Sequence, residues 1–277
     1  MELVDKHVPR AQSLTVAPVG DIQYGSQGCA LDMLQAHLAK GVDQGWWFLG
    51  MGDYSDAASP SNRAALKQTA TGLYESTREL LDHAFEERTA ELAGVLKATS
   101  GRWLGMVEGD HGWVLSDGQP IDALLAAKLK ARFLGSSAIV SVYMEGVDRP
   151  LRIFVTHGRG ASVSSTGKTL HLERLLSTFD VDIVLMGHSH LKYGVPVQRI
   201  KTVTTAAGPK LYAESKVVGI TGSFLKGFQE NTSAQGWPSG SYVEKAAMRP
   251  VPLGAITIQA EPQRHEWGWE WNLTVTS

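Results

Sequence analysis

Five short blocks of this 277-residue chain each join a glycine to a side chain that can bind a metal ion, and each follows an apolar run. In chain order the blocks are Gly20-Asp21-Ile22-Gln23, Gly52-Asp53, Gly109-Asp110-His111, His157-Gly158 and Gly187-His188-Ser189-His190. Hydrolysis of a phosphate ester by two metal ions needs carboxylates and imidazoles gathered at one place. Parallel strands whose carboxyl ends share a sheet edge would gather them. The blocks therefore predict a binuclear metal site.

Each of these residues, taken alone, has a more ordinary explanation. An Asp after a strand commonly caps a helix or forms a turn, and a single His such as His157 is more often a packed or surface residue. His188 and His190 are more specific, because alternate residues can aim two imidazoles at neighbouring metal positions. The repetition of the five blocks in one order favours the metal site over the ordinary explanations.

The composition is that of a globular protein that can bury a full core, with 43% hydrophobic and 19% charged residues. The net charge of -2 provides no overall basic field for a nucleic-acid backbone, although a local basic groove stays possible. Cys29 is the only cysteine, which excludes an internal disulfide and a Cys-rich zinc site. No signal peptide is evident, and no run reaches the ~18 apolar residues of a membrane span. We therefore expect a cytoplasmic protein without a membrane partner.

Strand and helix patterns alternate through the first two thirds of the chain. Apolar runs predict buried strands at 14–19, 46–51, 103–107, 151–155 and 181–186, with a further strand at 138–143 that pairs with 151–155. Leucines and phenylalanines at helical spacing predict helices near 31–38, 80–96, 121–133 and 172–179. This alternation places the loops after the strands together at the carboxyl edge of the sheet.

After His190 the pattern changes to strand-like pieces at 195–203, 216–221, 253–259 and 267–275, which predict a second, more antiparallel sheet. Both sheets need cover, so we expect one layered domain over residues 1–277, with helices outside two face-packed sheets. The polar stretch 223–250 is long for a plain connection and is predicted to form a lid or specificity insertion, or else a flexible excursion.

Together the blocks resemble the signature of the calcineurin-like metallophosphoesterase superfamily, which reads Asp-x-His, Gly-Asp-x-x-Asp, Gly-Asn-His-Asp/Glu, a lone His and Gly-His-x-His. The resemblance spans residues 19–190, about two thirds of the chain. It implies an α/β fold, a four-layer α/β/β/α sandwich with two face-packed mixed sheets. It also implies that Asp53 bridges two divalent ions. One ion would be bound by Asp21, Asp53 and His190, and the other would be completed by Asp110, His157 and His188.

Three positions depart from that signature. Gln23 stands where the superfamily usually has His, and an amide oxygen is a poorer ligand than imidazole for borderline metals, so the first site should be weaker or more tolerant of hard ions. Asp110 stands where Asn is usual, and Gly112 replaces an acidic residue. We hypothesise that the extra carboxylate of Asp110 compensates for the lost imidazole. The mixed ligands suit Mn²⁺, Fe²⁺ or Zn²⁺, and the oxygen-rich first site favours Mn²⁺.

The resemblance implies a hydroxide activated by two metal ions as the nucleophile, with His111 as the acid that protonates the leaving group and Asp56 as the carboxylate that orients His111. Protonation helps poor leaving groups most, which favours a phosphodiester or a nucleotide pyrophosphate as substrate. Four residues close to the blocks could face that substrate, although each is also an ordinary loop residue: Tyr24, Tyr54, Arg159 and Lys192.

Three other functions stay open at this point. A DNA or RNA nuclease would use the same chemistry but would need a positive groove leading to the metals. A phosphomonoesterase or protein phosphatase would also use it. The departures at Gln23, Asp110 and Gly112 also fit a binding scaffold whose catalytic centre has decayed.

Overall fold

In a computed structural model the chain forms two packed β-sheets with helices on both outer faces. The structure describes residues 1–56, 74–158, 165–234, 236–245, 247 and 249–277. The expected α/β architecture, with four layers and two mixed sheets, is confirmed.

The first sheet has seven strands in the order β1-β5-β6-β7-β9-β12, with β8 paired to β9. β5 and β6 form the predicted antiparallel hairpin, while β6, β7 and β9 run parallel. The strands of this sheet are β1 (Glu2–Val8), β5 (Ser137–Met144), β6 (Leu151–Thr156), β7 (Ile183–Met186), β8 (Lys192–Thr205), β9 (Gly208–Ser223) and β12 (Gly254–Ala255).

The second sheet has five strands in the order β14-β13-β2-β3-β4, and β2, β3 and β4 run parallel. A small separate hairpin joins β10 (Ser233–Ala234) and β11 (Trp237–Pro238). The strands of the second sheet are β2 (Leu14–Val19), β3 (Trp47–Gly50), β4 (Trp103–Met106), β13 (Thr257–His265) and β14 (Gly268–Thr276).

The helices cover the outer face of each sheet. A 3₁₀ turn at Lys97–Thr99 precedes β4. The α-helices are α1 (Leu31–Asp43), α2 (Glu75–Val95), α3 (Ile121–Lys128), α4 (Ser165–Thr178) and the single turn α5 (Tyr242–Lys245).

Three apolar layers follow from the alternation of side chains along the strands. Val16 of β2 and Leu49 of β3 point between the two sheets, whereas Ala17 and Phe48 point outward to α1, α2 and α3. On the far side, Phe154 and its neighbours on β7 and β9 pack against α4. The strands read as unbroken apolar runs because both of their faces are buried.

The second half of the chain differs from the prediction of a separate antiparallel sheet. β8 and β9 extend the sheet that contains β6 and β7, while β13 pairs with β2 and β14 with β13. The predicted strands before His190 are likewise divided between the two sheets. Hydrophobic periodicity gives the position of each strand but does not specify which strand it pairs with, and this division was therefore missed.

The stretch 223–250 starts at the last residue of β9 and contains the β10–β11 hairpin and α5. Phe224 is fully buried, and Lys226 N donates to the carbonyl of Gly28 at 2.7 Å. Its role as a lid stays a prediction. Within the described ranges, no helix combines the length and apolar character needed to cross a bilayer.

Candidate metal centre

The loops after β2 and β3 run side by side and continue the hydrogen bonding of the two strands. Asp21 N donates to the carbonyl of Gly52 at 2.9 Å, and the amides of Ile22 and Gln23 donate to the carbonyl of Asp53 at 3.0 and 3.1 Å. The side chains of Asp21 and Gln23 are fully buried, and Asp53 is 2% exposed. The paired loops therefore hold three candidate ligands in a hydrogen-bonded, buried setting.

The loop after β4 joins this pair at Asp53. His111 N donates to Oδ1 of Asp53 at 2.8 Å. Gly109 packs directly on the same residue, and a methyl group at position 109 would overlap the backbone nitrogen and Oδ1 of Asp53. Only a residue without Cβ permits this approach. The Gly109-Asp110-His111 block is thereby brought beside Asp53.

The loops after β6 and β7, in the first sheet, reach the same place from the other side. His157 Nδ1 donates to the carbonyl of Met51 at 2.6 Å. His188 N donates to Oδ2 of Asp21 at 3.0 Å, which joins residues 167 positions apart in the chain. A methyl group on Gly187 would lie 2.9 Å from the Met51 carbonyl oxygen, so glycine permits this contact as well. Although the two sheets share no edge, they deliver their loops to one site.

Imidazole nitrogens and carboxylate oxygens at this site have the spacing of ligands around a shared ion. His190 Nε2 lies 3.2 Å from Asp21 Oδ1, and His157 Nε2 lies 3.4 Å from Asp53 Oδ2. Two atoms that each bind a tetrahedral ion at about 2.1 Å are about 3.4 Å apart. The observed distances are close to that value.

Two groups of three donors meet here and share His157. One group is Asp21, Asp53 and His157; the other is Asp110, His157 and His188. Within each group the donor atoms lie within 4.8 Å of one another. His188 Nδ1 is also 3.2 Å from Asp110 Oδ2. The two groups therefore lie side by side, and Nε2 of His157 could bind an ion in either one of them but not in both.

Three buried polar atoms of this cluster form no hydrogen bond with the described residues: Asp21 Oδ1, Gln23 Oε1 and His157 Nε2. An unpaired buried polar group costs about 1–3 kcal/mol. Because the Met51 carbonyl accepts from Nδ1 of His157, the neutral ring keeps its proton on Nδ1 and turns the lone pair of Nε2 into the site. Divalent cations would satisfy all three atoms, so the donor set fits metal ions.

The pKa values of the cluster follow from these contacts. Burial alone would raise the pKa of Asp53, but the adjacent imidazole of His157, with Nε2 3.4 Å from Asp53 Oδ2, holds it well below its ordinary value. Burial would lower the pKa of His157, but Asp53 and Asp21 raise it to about 9. A proton on Nε2 of His157 faces Asp53, and a divalent cation that bound there would displace it.

Five candidate ligands have left-handed backbone conformations. φ is +46° at Asp21, +54° at Gln23, +51° at Asp53, +63° at His188 and +57° at His190. Within the described ranges, eight residues other than glycine have positive φ, and these are five of them. Such conformations cost about 1–3 kcal/mol each and cluster at functional sites. Their concentration here favours a functional centre over a set of ordinary turns.

His111 and Asp56 form a dyad at the edge of the cluster. His111 Nδ1 is 3.0 Å from Asp56 Oδ1, and Nε2 is 3.7 Å from Asp53 Oδ2. The His111 side chain is 13% exposed, which leaves it within reach of a substrate. A carboxylate that accepts from Nδ1 fixes the ring so that Nε2 faces the site. The roles of His111 as the acid and of Asp56 as its orienting carboxylate stay predictions.

Gln23 turns its amide nitrogen toward the site, where Nε2 donates to Asp53 Oδ2 at 3.0 Å. An amide nitrogen that carries two hydrogens is a donor and has no lone pair for a metal. Only Oε1, which has no hydrogen-bond partner among the described residues, could act as a ligand. In this orientation Gln23 holds Asp53 in place, and its role as a ligand stays a prediction.

Tyr54, which was predicted to face a substrate, is instead buried beside the cluster. Its side chain is 1% exposed, and its hydroxyl donates to the carbonyl of Val107 at 2.8 Å. The residue follows a ligand block in sequence, but its ring packs in the layer between the second sheet and its helices.

The other three predicted substrate residues differ in position. Tyr24 is partly exposed, and its hydroxyl lies 3.5 Å from Glu91 Oε2. Lys192 is partly exposed at the first residue of β8. Arg159 lies outside the described residues. Contact of these residues with a substrate stays a prediction.

Two supporting residues were missed by sequence reasoning. Ser223 Oγ and Phe224 N both donate to the carbonyl of Asp21 at 3.0 Å. Asp122 accepts a hydrogen bond from Gly109 N at 3.0 Å. A serine at the end of a strand and an aspartate in the first turn of a helix are ordinary residues at those positions, so their spacing gave no signal.

Neither a protein-family model nor a curated protein matches this chain. Among solved structures it is similar to a single mutant of Vps29 from Entamoeba histolytica, with a TM-score of 0.40 and 11% identity over 95% of this chain and 100% of that chain. It is also similar to Vacuolar Protein Sorting 29 from Cryptosporidium parvum, with a TM-score of 0.38 and 12% identity over 96% of this chain and 100% of that chain. Likeness at this level carries no inference about ligands, activity or partners.

Proposed function

We propose that this chain is a metal-dependent phosphoesterase that hydrolyses a phosphodiester or a nucleotide pyrophosphate. The observation that carries the proposal is the pair of donor groups that meet at His157, together with the unpaired buried atoms that face them. The residues proposed to hold two divalent ions are Asp21, Gln23, Asp53, Asp110, His157, His188 and His190.

The charges of the site support two ions. Asp21, Asp53 and Asp110 contribute three negative charges, and the two ions would contribute four positive ones. When bound, such ions supply Lewis-acid polarisation of phosphate oxygens and lower the pKa of a water. Asp53 has the position proposed for the bridging ligand, because it contacts residues from three of the five loops.

The residues outside the metal cluster would handle the leaving group. His111, held by Asp56, is proposed to give the proton on Nε2 to the departing oxygen. A diester with an alkoxide leaving group, such as a nucleotide ester, needs that proton more than a diester with an aryl leaving group does. We therefore propose a small nucleotide-like substrate, and Mn²⁺ as the preferred ion because oxygen ligands dominate the position of Asp21 and Gln23.

A second candidate function is metal binding without turnover, on a scaffold that contacts another protein. The orientation of Gln23 favours it, because the amide donates to Asp53 where a catalytic ligand would present a lone pair. The absence of a side chain at Gly112 points the same way. Both candidates predict bound metal, and only the first predicts hydrolysis.

The test is a hydrolysis screen on metal-stripped protein, supplemented in turn with Mn²⁺, Fe²⁺ and Zn²⁺. Substrates are an aryl phosphodiester, the matching aryl monoester, a nucleotide pyrophosphate, and single- and double-stranded DNA. The variants are His188→Ala and, as a matched control, His83→Ala, since His83 is exposed on α2.

We expect Mn²⁺-dependent turnover of the diester or pyrophosphate above the monoester. His188→Ala should lower kcat/KM by more than about 100-fold, and His83→Ala should leave it within about twofold. Preference for the monoester would favour a phosphatase, and DNA cleavage a nuclease. Tight binding of two ions without turnover of any substrate would establish the scaffold instead.

A further inference from the structure

Asp122, in the first turn of α3, is a carboxylate buried without a basic partner. It is 3% exposed, and no ion pair joins it to a basic side chain of the described residues. Burial, with the nearby charges of Asp53 and Glu108, raises its pKa to about 7 against the hydrogen bond from Gly109. A neutral side chain would be less costly at this position.

The carboxylate holds the loop that carries two predicted site residues. Its Oδ2 accepts from Gly109 N at 3.0 Å. Gly109 is the residue that packs on Asp53 without room for a methyl group, and two residues later His111 N donates to Asp53 Oδ1 at 2.8 Å. A single chain of contacts thus runs from α3 through the turn to the centre of the cluster.

Gly112, at the end of the same turn, also leaves space for the carboxylate of Asp122. A methyl group built on Gly112 would lie 3.3 Å from Asp122 Oδ2. The side chain that position 112 lacks would compete for the same volume. The glycine and the helix carboxylate are therefore complementary, and the acidic group beside the turn comes from α3.

We propose that Asp122 is a positioning residue that holds the turn Gly109 to Gly112, and so keeps Asp110 opposite His188 and His111 beside Asp53. The inference rests on the proposed function, because it assigns Asp122 a part in the same metal centre. It adds a contact that neither binds metal nor touches substrate.

The test compares three substitutions. Asp122→Asn keeps an oxygen that can accept from Gly109 N, whereas Asp122→Ala removes it and Asp122→Ser is too short to reach it. The control is Asp32→Ala, which removes an exposed carboxylate from the first turn of α1. Mn²⁺ affinity is measured by titration of metal-stripped protein, and kcat and KM are measured separately on the diester.

We expect Asp122→Ala and Asp122→Ser to weaken Mn²⁺ binding at one of two sites by about 10-fold to 100-fold. Their kcat should fall by a similar factor with KM within about threefold, and excess Mn²⁺ should restore part of it. Asp122→Asn should stay within about threefold of the parent protein in affinity and kcat, and Asp32→Ala within about twofold. If Asp122→Ala does not fold, Asp122→Ser is compared with Asp122→Asn in its place.

Unchanged Mn²⁺ affinity in Asp122→Ala or Asp122→Ser, in a parent protein that binds two ions, would overturn this inference and leave the proposed function intact. Equal losses in Asp122→Asn and Asp122→Ala would also overturn it, since the oxygen acceptor would then not be what matters. A parent protein that binds no divalent ion would overturn both.

Discussion

At the scale of single residues, the candidate centre combines strain with burial. Left-handed backbone at five candidate ligands and unpaired atoms on three of the cluster's residues each carry a cost in the free energy of folding. Asp and His tolerate positive φ better than most residues, but Gln does not. We therefore expect the largest backbone strain of the five at Gln23. A metal ion that satisfied the unpaired atoms would bind tightly, because the ligand side chains are already held in place before it binds.

The acid role of His111 predicts a dependence on the leaving group. In His111→Ala, kcat/KM for a diester with an alkoxide leaving group should fall by about 10²-fold to 10⁴-fold, because no proton reaches the departing oxygen. For an aryl leaving group, which departs as a stable anion, the loss should be below about tenfold. Rates on a matched pair of alkyl and aryl diesters measure this. Equal losses on the two esters would assign His111 to metal or substrate binding.

His37 predicts a loss of stability in acid that is independent of the metal cluster. Its pKa is lowered to about 4 by burial and by the charges of Lys40 and Lys192, and its ring packs near Trp46 and Phe224. The unfolded chain therefore binds more protons between pH 6.5 and 4. The free energy of unfolding is therefore not reduced by His37 above pH 6.5. As the pH falls from 6.5 toward 4, protonation of His37 in the unfolded chain lowers this free energy by up to about 3 kcal/mol.

The measurement is urea unfolding at pH 7.5 and pH 4.5 for the parent protein and His37→Phe. The decrease in unfolding free energy between the two pH values should be smaller in His37→Phe by about 1–3 kcal/mol. His83→Phe, at an exposed position of α2, is the control and should behave as the parent does. A decrease of the same size in all three proteins would show that His37 is not the group responsible.

At the scale of elements, the candidate metal site and a buried network of ion pairs lie at opposite ends of the strands. The candidate ligands follow the carboxyl ends of β2, β3, β4, β6 and β7, whereas a network of three basic and three acidic side chains lies at the opposite, amino-terminal edge. It joins the two sheets, since Glu270 belongs to β14 and the others adjoin or belong to the first sheet. The members of this amino-edge network are Arg149, Asp182, Lys201, Glu214, Lys216 and Glu270.

The amino-edge network predicts a variant that loses stability while keeping its metal affinity. Lys216 is 4% exposed and lies 2.9 Å from Asp182 and 3.1 Å from Glu214. Lys216→Met would leave both carboxylates short of one partner in a buried setting, and because Arg149 still pairs with both we expect a cost of about 1–3 kcal/mol. Mn²⁺ affinity of the folded protein should change by less than about threefold, because the cluster lies at the other edge.

The control for this prediction is Arg132→Met. Arg132 pairs with Glu2 at 3.0 Å, with side chains 57% and 50% exposed, so its loss should cost less than about 1 kcal/mol. Chemical denaturation and a metal titration of each variant provide the comparison. Equal destabilisation by the two substitutions, or a large loss of metal affinity in Lys216→Met, would contradict the proposed separation.

At the scale of the whole molecule, the sequence was informative where local chemistry decides the outcome. Glycine followed by a ligand after an apolar run specified both the ends of the strands and the residues that meet, including Asp110 and His188. It was uninformative where distant partners decide. β1, with Glu2, Asp5 and Lys6 in its sequence, was not predicted, because its parallel pairing with β5 is visible only in three dimensions. Asp122 was missed because its distinguishing property is burial.

The contact between His188 and Asp21, 167 residues apart in the chain, has a consequence for the order of events during folding. Closing so long a segment requires both sheets to assemble first, so a complete cation site cannot exist in an early, locally ordered chain. Mn²⁺ should therefore leave the refolding rate unchanged and slow unfolding. At a Mn²⁺ concentration of 100 times Kd, the gain of about 2.7 kcal/mol in unfolding free energy should appear as a lower unfolding rate. Stopped-flow jumps in urea with and without Mn²⁺ resolve the two arms. Refolding that accelerates with Mn²⁺ would mean that ions instead nucleate the fold.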